Sequence, residues 1–70
     1  MKFITNGKNE EIINLDHIIK IEKCVATTDD KFHRIFFYYQ TGLIYWNFLS
    51  EEDLDFCYDG LIRLIDPIVI

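Results

Sequence analysis

The stretch from Phe32 to Leu49, F-H-R-I-F-F-Y-Y-Q-T-G-L-I-Y-W-N-F-L, constrains the fold more than any other. Two runs rich in β-branched and aromatic residues flank Thr41-Gly42, and Gly42 can take the positive φ that a tight hairpin turn needs. A two-residue loop at Thr41-Gly42 pairs Gln40 with Leu43, Tyr39 with Ile44, Phe37 with Trp46, Phe36 with Asn47 and Ile35 with Phe48. Side chains alternate along a strand, so Ile35, Phe37, Tyr39, Ile44, Trp46 and Phe48 share one side. That side is the expected core. Arg34, Phe36, Tyr38, Tyr45 and Asn47 share the other. A solvated sheet face would carry small polar or charged residues there, not Phe36, Tyr38 and Tyr45. Such a patch calls for a cover: an early strand or loop of the same chain, a second copy, or a partner or ligand.

Seventy residues, 1–70, make a single domain. A chain of this size buries only about 60% of its unfolded surface and is marginal without a staple or a partner. Half of the residues are hydrophobic, enough to build a core and to argue against intrinsic disorder. The chain has no apolar run long enough to span a membrane. Its start, M-K-F-I-T-N-G-K-N-E, turns polar by Thr5 and lacks a signal-peptide core. The expected location is therefore cytoplasmic. In that compartment Cys24 and Cys57 are expected to be reduced, buried thiols. Neither shares the paired spacing with His17 or His33 that a zinc site uses, and no metal or cofactor is expected.

Along the chain, Lys2–Thr5 reads as a short strand, Asn6-Gly7 as a turn and Glu10–Asn14 as the return strand. Asn14-Leu15-Asp16 reads as a tight corner, because Asn and Asp side chains bond to nearby backbone. His17–Val25 is dense in isoleucine and reads as a strand, with a helix over Leu15–Cys24 the alternative by spacing. Ala26–Lys31 is a polar loop before the hairpin. Ser50 then caps a helix whose first turn holds Glu51, Glu52 and Asp53, where the helix dipole favours negative charge. Leu54, Cys57, Tyr58, Leu61, Leu64 and Ile65 form its apolar stripe. Gly60 interrupts the helix at a cost of about 1 kcal/mol, as though something approaches closely there. Pro67 ends the helix and leaves an apolar tail, Ile68-Val69-Ile70. The expected class is α+β: a curled antiparallel sheet of about five strands, in the order β-β-β-β-β-α, with one C-terminal helix packed on it.

Charge is uneven. Residues 1–49 carry six basic and six acidic side chains, and the rest carry one basic against six acidic, the whole net charge of −5. With the stripe turned to the sheet, Glu52, Asp55, Asp59 and Arg63 are expected to face outward. Such a face suits a basic protein partner. No Lys/Arg cluster exists to meet phosphates, which argues against direct nucleic-acid binding. Catalytic signatures are missing as well. The glycines stand alone, no Cys-His pair has an orienting third group, and the carboxylates of Asp55 and Asp59 are exposed.

The segment I-I-N-L-D-H-I-I-K-I-E, the Gly-turn hairpin and the Ser-Glu-Glu helix start resemble a pattern in very small bacterial and phage β-rich proteins. The small flagellar and swarming-motility proteins of the FlbD type are an example. Asn14, Asp16, Ile18 and Ile21 match the corner, Thr41-Gly42 the turn, and Ser50-Glu51-Glu52 the helix start. The long aromatic hairpin, the Ala26–Lys31 loop and the apolar tail depart from it. The resemblance implies the element order and no catalytic residues.

Three functions follow as expectations. The first is a non-catalytic interaction module that forms a homodimer through Phe36, Tyr38 and Tyr45 or through Ile68, Val69 and Ile70. The second is an acidic, phage-type inhibitor that sets Glu52, Asp55 and Asp59 in a basic groove of a host factor. The third is a small-ligand binder whose curled sheet lines a pocket with Tyr39, Tyr45 or Trp46.

Overall fold

A computed structural model describes residues 2–5 and 11–69. The expected Asn6-Gly7 turn lies outside the described residues, as does Ile70. Strand β1 (Phe3–Thr5) pairs antiparallel with β2 (Ile12–Asn14), Ile4 opposite Ile13. Strands β3 (Lys20–Cys24), β4 (His33–Tyr39) and β5 (Gly42–Phe48) form a second antiparallel sheet in that order. Helix α1 spans Glu51–Ile65. Among the described residues, the α+β class, the strand count and the element order are as expected.

The single curled sheet is not. The five strands divide into a two-stranded ribbon and a three-stranded sheet. The reason lies at the corner after β2. Asn14 Oδ1 accepts from the Asp16 N–H at 3.0 Å, and one 3-10 turn follows over Leu15–His17. Ile18 N–H then donates to Leu15 O at 3.2 Å, and Leu15 N–H to Lys2 O at 2.8 Å. The corner thus meets its backbone hydrogen bonds locally, and β2 does not run on into a ladder with β3.

The hairpin also differs in its turn. Its loop residues are Gln40 and Thr41, with Gly42 already opposite Tyr39 in the ladder. Ile35 therefore faces Trp46, Phe36 faces Tyr45, and Phe37 faces Ile44. Moving the loop back by one residue changes every partner by two positions, and an even slip leaves the two faces intact. Ile35, Phe37 and Trp46 are buried as expected, while Tyr39, Ile44 and Phe48 are half-buried beside them. The Trp46 ring meets Phe37 edge-on, centroids 4.8 Å apart. Asp66 is the only described non-glycine residue with positive φ, so neither Gln40 nor Thr41 draws on that conformation.

Helix α1 starts as its sequence dictates, with Ser50 extended and its Oγ accepting from Asp53 N–H at 3.1 Å. It ends at Asp66, in the left-handed region at φ 53°, whose N–H closes on Ile62 O at 2.7 Å. Asp tolerates that conformation better than most residues, and Pro67 bars continuation. The ammonium of Lys2 bonds to Leu64 O, where the helix dipole favours a cation. Leu54 and Leu61 are buried against Ile35, Phe37 and Trp46, and Ile13 from the ribbon completes the core. Trp46 Nε1 donates to Glu11 Oε1 at 2.8 Å, which gives the buried indole its partner and fixes the ribbon on the same side of the sheet.

The apolar stripe is only partly used. Cys57 and Tyr58 are half-buried, but Leu64 and Ile65 of the last turn are exposed. The helix packs mainly on β4 and β5; from the same face of β3, Ile21 is half-buried against the core and Lys23 reaches toward the helix.

Candidate functional site: an apolar groove beside β3

Three surfaces hold the residues that the sequence singles out. On the outer sheet face, Phe36 lies 5.8 Å from Tyr45 and 6.3 Å from Tyr38, centroid to centroid. The hairpin therefore does gather them. Among the described residues no early strand covers them, because the β1–β2 ribbon packs on the opposite face through Ile13 and Glu11. Neighbouring polar side chains partly clothe the patch. Lys20 stands over Tyr38 at 5.0 Å and Arg34 over Tyr45 at 5.6 Å. Tyr38 Oη donates to Glu22 Oε1 at 3.0 Å, and Arg34 Nε to Asn47 Oδ1 at 3.0 Å. The bond to Glu22 pushes the Tyr38 phenol above its ordinary pKa.

On α1, Glu52, Asp59 and Arg63 face outward as expected, but Asp55 does not serve that face. Its Oδ1 accepts from Lys23 Nζ at 3.1 Å, a bond that also raises the lysine's pKa. Asp55 is on the helix flank nearest β3, and Lys23 reaches it from that strand. Instead, an aromatic residue outside the stripe occupies the outward face. Phe56 is 82% exposed, four residues after Glu52 and three before Asp59. Its signal was available in the spacing, since it falls opposite Leu54 and Leu61 on a helical wheel. A Cβ at Gly60, one turn on, would meet nothing within 4 Å, so the protein's own packing does not require that glycine.

The third surface is a groove of about 310 Å³ between the segment 15–21, which leads into β3, and the second half of α1. Leu15, Ile18, Ile19 and Ile21 form one wall together with Lys20; Tyr58, Leu61, Ile62 and Ile65 form the other. Pro67 borders it at the end of the helix. Lys23, bonded to Asp55 and 5.3 Å from the Tyr58 ring, links strand and helix beyond it. Ile19 is 73% exposed, and Ile62 and Ile65 are each 41% exposed. The tail leaves from Pro67 with Ile68 and Val69 at 89% and 93% exposure. Sequence reasoning found the tail and missed the groove, which exists only because the helix settles on β4 and β5.

Tyr39, Tyr45 and Trp46 do not line a common pocket. Tyr45 points to the face opposite Trp46, and Trp46 is 7% exposed with its indole bonded to Glu11. His33 Nδ1 accepts from Ala26 N–H at 2.9 Å, which ties it to the loop after β3. Cys24 is exposed rather than buried, and Cys57 is half-buried, its thiol pushed up in pKa by burial. Among the described residues, no cluster of His, Cys, Asp and Glu could hold a metal ion, and no helix is long and apolar enough to cross a membrane. Comparison with family models, curated proteins and solved structures yields no match to this chain.

Proposed function

We propose that this chain is a small, non-catalytic, cytoplasmic interaction module that works by self-association, as a homodimer. The observation that carries this reading is the apolar strip of Ile19, Ile62 and Ile65 beside an exposed aliphatic tail. A domain this small gains much of its stability from the apolar surface it manages to cover, and a two-fold pairing covers such a strip on both copies at once. The strip suits this role better than the aromatic face, whose rings already contact Lys20 and Arg34. Light scattering across a concentration series tests the reading. A twofold mass that persists in high salt is expected, because the contact is apolar. A monomer throughout the series overturns it.

A second reading keeps the acidic helix as a docking face for a basic protein groove, as a phage-type inhibitor would use it. Phe56 favours it, an exposed aromatic anchor among Glu52, Asp53 and Asp59. In this reading Glu52→Lys with Asp59→Lys abolishes biological activity while circular dichroism stays unchanged. Wild-type activity in that double variant refutes it.

A further inference from the structure

We infer that the two copies exchange tails: Ile68 and Val69 of one copy enter the groove between β3 and α1 of the other, and the reverse. This rests on the self-association reading and names the segment and the site that make the contact.

Four observations point to that occupant. The groove is apolar on both walls apart from Lys20, and its volume of about 310 Å³ is on the scale of two branched aliphatic residues. The tail supplies such residues, nearly fully exposed at the groove's own mouth. The β3 edge away from β4 has no strand beside it among the described residues. An extended segment rich in β-branched residues can add there, with backbone bonds along the edge and alternate side chains in the groove. The lysines that normally defend an edge strand are drawn elsewhere, Lys20 onto Tyr38 and Glu22, and Lys23 onto Asp55.

A second copy is favoured over the chain's own tail by the path of the backbone. Pro67 already borders the groove, and Ile68 follows it directly. To enter its own groove the chain would have to reverse at once after a proline of fixed φ. A tail from another copy can approach along the groove without reversing. The exposed parts of Ile19, Ile62, Ile65, Ile68 and Val69 amount to on the order of 600 Å² per copy. That approaches the ~800 Å² per partner of a stable interface. Exchange is also reciprocal, so the contact closes at two copies instead of propagating.

The test uses the full chain. Ile68→Ser with Val69→Ser changes only exposed side chains, so the fold is expected to persist. Its dimer dissociation constant is expected to rise by more than about a hundredfold, from the apolar area lost at both sites. If the wild type is dimeric and this variant dimerises equally well, tail exchange is wrong while self-association stands. If the wild type is monomeric, both fail. Cross-linking then separates exchange from self-insertion. In a Cys24→Ser, Cys57→Ala background, a copy with Ile19→Cys is mixed with a copy with Val69→Cys and oxidised. A disulfide-linked pair of the two different copies is the expected product. A chain carrying both substitutions that instead closes on itself at monomer mass overturns the assignment to a second copy.

Discussion

Replacing Leu54 and Leu64 by alanine, one at a time, tests where the helix stripe stops contributing to the core. Both leucines belong to the stripe in the sequence, yet Leu54 is 0% exposed and Leu64 is 39% exposed. Leu54 sits on the Ile35–Phe37–Trp46 layer, so its truncation loses transfer free energy and leaves a cavity, at a cost of about 3 kcal/mol. Leu64 keeps much of its surface in water and makes no part of that cluster, so its loss costs less than about 1 kcal/mol. A domain of this length has roughly 4 to 10 kcal/mol in total, so Leu54→Ala removes a third or more of it. Urea titration followed by Trp46 fluorescence reads both variants, with a midpoint shift of about 2 to 3 M expected for Leu54→Ala. One fixed, low protein concentration removes the contribution of association. Equal costs at the two positions would refute the placement of α1 across β4 and β5.

Gly60→Ala is expected to stabilise the fold by about 1 kcal/mol in the same titration, because the added methyl meets no neighbour and the helix gains propensity. Ser50→Ala should cost about 1 kcal/mol through loss of the bond to Asp53 N–H. Timed alkylation at neutral pH should label Cys24 well before Cys57, which is less exposed and whose thiol burial pushes up. At high pH, Lys23 and Tyr38 act in the same direction. Both pKa values are raised in the fold, so their contributions are complete below the ordinary values of 10.5 and 10.0 and are lost as pH rises beyond them. Lys23→Met should flatten that alkaline loss.

Local chemistry was legible in the sequence. Alternation separated the two hairpin faces, Ser50 marked the helix start, Pro67 marked its stop, and Asn14 marked the corner. Each is decided by interactions within a few residues. The misses need knowledge of what lies across the fold. The hairpin faces survive an even slip, so the pattern assigned each residue to its face while the turn expected at Thr41-Gly42 lies one residue earlier. The division into two sheets follows from bonds that the corner makes to itself and to Lys2. The pairing of Asp55 with Lys23 depends on which flank of α1 meets β3. Leu64 and Ile65 carry the right spacing for burial, yet the sheet beneath the last helical turn is not where the period implies.

That displacement of the helix connects the fold to its proposed role. A fifteen-residue helix covers one stripe of a sheet, and here it covers β4 and β5, where Phe37 and Trp46 supply the largest apolar area. The ribbon adds Ile13 to the same core, and Ile21 of β3 packs against it half-buried. Ile19, just before β3, stays exposed, and so do Ile62 and Ile65 on the facing side of the helix. Lysine is the usual protection for such an edge, but both lysines of β3 are held by interactions that lead their charges away from the groove. The edge is thus open in backbone and apolar in side chain, which is the pair of properties that an added aliphatic strand uses.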